Sequence, residues 1–145
     1  MARAGVVSAA GALAGRVADE IEQQHQVLAR WLGSACDREV LDTLRAAHTA
    51  DFSMVTTDGR AISLDTLLAG LAEAGNARPG LRIDVRDIEV LVTTDELIVA
   101  RFVEVHSEGD RSASRRVSAA LRPDDRARNG LRWRHVHETA MESQP

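Results

Sequence analysis

Between Val17 and Leu32 the apolar residues Val17, Ile21, Leu28, Trp31 and Leu32 recur at helical spacing, with His25 on the same stripe. Asp19, Glu20, Glu22 and Gln23 occupy the other side, and Gly33 supplies a stop. Ser34-Ala35-Cys36-Asp37 has the form of a capping box, and Val40, Leu41, Leu44 and Ala47 then give the buried face of a second helix reaching about His48. From Phe52 to Ser63 the period changes to two. Phe52, Met54 and Thr56 alternate, Asp58-Gly59 turns and Ala61-Ile62 returns, which predicts a hairpin. Ser63 caps a third helix with Leu64, Leu67, Leu68 and Leu71 inward, ended by Gly75 and the Arg78-Pro79-Gly80 break.

Strands follow. Leu81, Ile83 and Val85 share one parity and Ile88, Val90 and Val92 the other, so a β-bulge is expected near Arg86-Asp87. The run Leu97 to His106 is apolar on both parities, as in a strand covered on both faces. Glu108-Gly109-Asp110 turns into Ser112 to Arg122, and Leu131 to Thr139 forms the last strand after a polar loop. Two helices, a hairpin, a third helix and a four-strand meander, with no repeat or linker, make one α+β domain.

Composition narrows the class. The 145 residues are 44% hydrophobic and 28% charged, which supports a folded core. A single cysteine, Cys36, excludes an internal disulfide and a Cys-rich zinc site. No apolar run approaches the roughly 20 residues that span a bilayer. All 18 basic residues are arginine, a bias that points to a GC-rich bacterial genome. Residues Ala4 to Gly15 are small and weakly apolar, and Ala12-Leu13-Ala14 has the form of a cleavage site, but the stretch lacks the leucines of a signal peptide. The expectation is a mobile or loosely helical extension over 1–16, one domain over 17–142 and a cytoplasmic location.

Three segments carry a family resemblance. Ala50-Asp51-Phe52 with Val55-Thr56-Thr57-Asp58-Gly59-Arg60, the helix from Ser63 to Ala74, and Trp133-Arg134-His135-Val136-His137-Glu138 stand in the order found in SnoaL-like proteins. The stretch from Ile21 to Met141 thus resembles the SnoaL-like family of the nuclear transport factor 2-like superfamily. The resemblance implies a cystatin-like fold, a cone-shaped curved mixed or antiparallel sheet wrapped around the N-terminal helices and enclosing an apolar cavity. It also implies a homodimer joined through the sheet. Family members include isomerases, dehydratases, epoxide hydrolases and polyketide cyclases. The first two lean on tyrosine proton donors, and this chain has no tyrosine.

Within such a fold the cavity is the default ligand site. His48 continues the stripe of Leu41 and Leu44, and Asp51 lies between that helix and the first strand, so the two are candidates for general acid and base. Trp133, His135 and His137 share the parity of Leu131, taken as the inner face. Arg101 shares the parity of Val99 and Val103. With Trp31, Met54 and Phe102 they make the candidate ligand-binding set. The same large side chains could instead plug the cone, giving a non-catalytic interaction domain. The expected ligand is a small, mainly apolar molecule, bound without a cofactor, and any catalysis would be of the lyase, cyclase or isomerase type.

His135 and His137 on one strand face, with His106 as a more distant third, have the spacing of a weak metal site; no metal is expected. Eight arginines (111, 115, 116, 122, 126, 128, 132 and 134) against Asp124 and Asp125 form a basic stripe. Scarce aromatic residues and a net charge of −4 argue against nucleic acid. These arginines are expected on the solvent face, paired with Asp84, Asp87, Glu89 and Glu104.

Overall fold

The computed structural model describes residues 8–142. Helix α1 (Ala9–Gly33) starts at Ser8, whose Oγ accepts from the Gly11 amide. Its first two turns carry no buried residue, while Val17, Ile21, His25 and Trp31 face the core. The expected extension over 1–16 is therefore regular helix from Ala9, continuous with the domain, and residues 1–7 lie outside the described residues. Helix α2 (Glu39–Ala46) begins later than the capping box predicts. Ser34 instead closes α1 by donating to the Arg30 carbonyl, and Asp37 Oδ1 takes the Glu39 amide. Helix α3 (Leu64–Glu73) is capped by Ser63 as expected.

The strands are β1 (His48–Val55), β2 (Ala61–Ser63), β3 (Arg82–Thr93), β4 (Ile98–Glu108), β5 (Arg111–Pro123) and β6 (Leu131–Ala140). They form one mixed sheet in the order β2-β1-β6-β5-β4-β3. The meander β3 to β6 is antiparallel, and β6 returns beside β1 in parallel register, which places β6 inside the sheet between β1 and β5. This is an α+β fold with a curved, unclosed sheet. Its core packs α1, α2 and α3 against one face through Val17, Ile21, Leu44, Leu64 and Leu68 on the helices and Phe102, Val117, Leu121, Leu131 and Trp133 on the strands.

Register shifts occur in β1, β3 and β6, and two of these bulges bear directly on the sequence pattern. The first lies where the pattern predicts it. The β3–β4 register shifts between Arg86 and Glu89, and Asp87 takes a φ of 57°. The second was not anticipated. Trp133 pairs with Leu121 and His135 with Ala120, so Arg134 is an extra residue in β6. Because strand parity is two, one inserted residue exchanges the faces beyond it.

Candidate functional site

A cavity of about 170 Å³ lies between the helices and the concave face of the sheet. Most of its wall is apolar, from Leu28, Leu44, Phe52, Met54, Leu71 and Phe102. Trp133 and Phe102 meet edge to face at 6.4 Å between ring centres, with the His25 ring 5.3 Å from Phe102 and 6.1 Å from Trp133. The large side chains thus fill part of the cone and leave a space of small-ring size. An engineered apolar cavity of about 150 Å³ admits benzene.

Trp133 is oriented from behind. Its Nε1 donates to Glu20 Oε2 at 2.7 Å, and Glu20 is wholly buried. Arg128 donates to both Glu20 oxygens (2.8 and 2.6 Å) and Asn129 Nδ2 reaches Oε1 at 3.1 Å. A buried carboxylate with four donors is satisfied, and here it also ties the loop before β6 to α1.

The polar part of the cavity is built from α1, β4, β5 and β6. His25 Nε2 lies 3.2 Å from Glu104 Oε2, and His106 Nε2 lies 2.9 Å from Glu104 Oε1. The partners assign the protons. His25 Nδ1 faces the Ile21 carbonyl at 2.6 Å, so both its nitrogens donate and the ring is an imidazolium. Burial works against that charge, but the hydrogen bond from His25 to Glu104 and the Glu104 charge outweigh it and raise the His25 pKa. His106 Nδ1 faces the Arg78 guanidinium at 3.4 Å, so it accepts there and donates from Nε2. Burial would raise the Glu104 carboxyl, yet the hydrogen bonds from His106 and His25 prevail and hold it far below the usual carboxylate range.

Glu138 on β6 joins this end of the cavity. Burial, then the charge of nearby Glu104, pushes its pKa up to about 7, against the opposing pull of Arg115, whose Nη1 lies 3.3 Å away. Glu104 and Glu138 together therefore hold about half a proton near neutrality, all of it on Glu138. His48 lines the cavity elsewhere. Its Nδ1 donates to the Leu44 carbonyl at 2.5 Å, which leaves Nε2 as a bare acceptor, and burial lowers its pKa to about 4.

Several expected site residues stand elsewhere. Asp51 is exposed and pairs with Arg134 at 3.2 Å, so it does not meet His48. Arg101 faces outward with Val99 and Val103 and pairs with Glu89 at 2.9 Å, because the inward parity of β4 is Ala100, Phe102, Glu104 and His106. The Arg134 bulge turns His135 and His137 away from the cavity and brings in Val136 and Glu138. His135 Nδ1 bonds Ser53 Oγ at 2.9 Å, and neither histidine shares a face with His106. Among the described residues no three His, Cys, Asp or Glu side chains are arranged to hold a metal ion. Trp31 is buried behind α3, donating to the Leu71 carbonyl at 2.7 Å, and does not line the cavity. His48, Met54, Phe102 and Trp133 do line it.

The arginine stripe also pairs differently from expectation. Arg115 reaches Glu138, Arg128 reaches Glu20, Arg134 reaches Asp51, and Arg126 and Arg132 share Asp124. Glu104, expected on the solvent face, is 4% exposed. His25, Glu104, His106 and Glu138 were the chemistry missed. A signal existed, since His25 sits on the apolar stripe of its helix and Glu104 and His106 stand two apart in an apolar strand.

No protein-family model matches the chain, and no curated protein is similar to it. Solved structures are. The chain is similar to an NTF2-like protein of unknown function from Pseudomonas aeruginosa, with 30% identity and a TM-score of 0.81 over 88% of this chain and 99% of that one. It shares its fold with a candidate scytalone dehydratase from Novosphingobium aromaticivorans (10% identity, TM-score 0.69, 88% of this chain and 83% of that one). The CaMKII hub of S. rosetta has the same fold at 12% identity and TM-score 0.65, over 94% of this chain and 99% of the hub. The sheet order, the cavity under the helices and the first of these likenesses agree, and the chain belongs to the NTF2-like family.

Proposed function

We propose that the cavity binds a small, mainly apolar molecule and carries out cofactor-independent proton transfer on it, of the isomerase, lyase or cyclase type. The observation that carries this reading is the pairing of Glu104 and Glu138 in an apolar cavity, one ionised and one with a pKa of about 7. A carboxyl group that is half protonated near neutrality serves as acid or base with little thermodynamic cost in either direction. Glu104, gripped by two histidines, is the fixed negative charge that keeps the Glu138 proton in place. Glu138 is the acid–base residue in this reading, and His48 Nε2 is a neutral acceptor that orients the ligand. The fold shared with a candidate scytalone dehydratase is consistent with such chemistry.

Native mass spectrometry of the purified protein, compared with its denatured mass, tests the binding step. A small extra mass present only under native conditions supports it, and the released molecule then becomes the substrate for a turnover assay in Glu138→Gln. Retained turnover in that variant would remove Glu138 from the chemistry.

A second reading is a dimeric interaction domain, favoured by the fold shared with the CaMKII hub. The outer face of β4 carries Val99, Val103 and Val105 around the Arg101–Glu89 pair, a largely apolar row that suits a homodimer joined through the sheet. A dimer at the bare protein mass, with no ligand from a small-molecule screen, would favour this reading.

A further inference from the structure

Beyond the cavity, on the far side of His48, a surface cleft of about 490 Å³ opens between the start of β1 and the β5–β6 loop. Its charged lining is Arg122, Arg126 and Arg132 against the single carboxylate of Asp124. Asp124 is already committed to two of the three, 2.8 Å from Arg132 and 3.4 Å from Arg126. Arg122 has no ion-pair partner among the described residues, and it stands directly opposite Arg132 across the β5–β6 ladder. Like charges in directly opposed positions destabilise a sheet, and the ion pair to Asp124 offsets only the Arg132 side of this one. The local field is correspondingly positive. The Arg132 hydrogen bond, then the Arg126 amide, hold the Asp124 carboxyl down to about 2.

His48 Nε2 has no hydrogen-bond partner among the described residues, and His48 lines both the cleft and the cavity. Guanidinium groups are the donors that an oxyanion accepts from, through paired, charge-assisted hydrogen bonds. We propose that the ligand is an amphipathic anion, with a compact apolar body in the cavity and an oxyanion head group, a carboxylate or a phosphate, in the arginine cleft beside His48. This rests on the cavity reading above and adds the charged end of the molecule.

The test is calorimetric titration of the full chain, at low ionic strength, with 3-phenylpropanoate and with its uncharged counterpart 3-phenylpropanol. Both carry a ring of the cavity's size, and only one carries the oxyanion. The acid should bind at least about tenfold more tightly than the alcohol. Arg122→Ala should bring the two within about twofold while leaving the alcohol unchanged. Inorganic phosphate should weaken binding of the acid and not of the alcohol. Arg122→Ala should melt no lower than the parent, since it relieves the Arg122–Arg132 repulsion, so a loss of acid binding is not a loss of fold. Equal affinity for acid and alcohol overturns the oxyanion proposal and leaves the cavity reading intact. Binding of neither overturns both.

Discussion

His25 on α1 and Glu104 on β4 form an ion pair 3.2 Å apart from which water is almost wholly excluded, with side chains 6% and 5% exposed. Removing one partner of such a pair strands a buried charge. Glu104→Gln should therefore lose about 3 kcal/mol in urea unfolding at pH 6. The raised His25 pKa means that its contribution is complete below the ordinary histidine value and fades as pH rises through the folded-state value. The deficit of Glu104→Gln should accordingly shrink between pH 6 and pH 9.

Glu138 acts in the same direction over a lower pH window. Its carboxyl is raised from 4.5 to about 7, so the folded state holds a proton that the unfolded chain releases. The Glu138 contribution to stability should be lost between pH 4.5 and pH 7, by an amount on the order of 3 kcal/mol, read as the difference between the wild type and Glu138→Gln. Glu138→Gln should remove that slope, matching the parent near pH 5 and exceeding it at pH 8. Chemical denaturation across this range measures both curves.

His48 should remain neutral to about pH 4. Since burial keeps its folded-state pKa below the ordinary 6.5, the His48 contribution to stability should fall as pH drops from 6.5 towards 4, against the direction of the Glu138 contribution. Nitrogen-detected NMR should show a proton on Nδ1 and a lone pair on Nε2 throughout the neutral range. An imidazolium at pH 6 would contradict the assignment made from the Leu44 carbonyl.

Asp51 and Arg101 sit in exposed surface pairs, with 58% of the Asp51 side chain and 48% of the Arg101 side chain accessible. Asp51→Ala and Arg101→Ala should each leave the unfolding curve and the ligand affinity close to those of the parent.

Trp133→Phe keeps the ring in the cavity wall and deletes the donor to Glu20. The wholly buried carboxylate would lose one of its four hydrogen bonds, at a cost of about 1–3 kcal/mol. A melting curve tests this, and Glu20→Gln in the same background should cost less than in the parent because the two changes share one bond.

Much of the architecture could be read from the chain because it is encoded locally. The Asp58-Gly59 turn, the Ser63 cap and the phase slip at Arg86-Asp87 each announce themselves within a few residues. The lining of the cavity was less accessible. In β4 both parities are apolar, so pattern alone does not decide whether Arg101 or Glu104 faces inward. In β6 nothing in Trp133-Arg134-His135 marks a bulge, because its cause is long-range, the simultaneous pairing of β6 with β5 and β1. The acidic group in the core was hidden for a related reason. A glutamate on a strand reads as solvent-facing unless its partners are known, and the partners of Glu104 come from a helix 79 positions earlier and from its own strand.

The extra residue in β6 has an evolutionary consequence. A descendant that lost Arg134 would close the bulge and keep every pairing beyond it, so Val136 and Glu138 would still look into the cavity. A descendant that kept all the residues of β6 but straightened the strand would instead turn His135 and His137 inward. Position 134 is therefore one where a codon can disappear and leave the pocket's chemistry intact, whereas a slip of one position in the pairing would trade a carboxylic acid for two imidazoles with no change in the text at all.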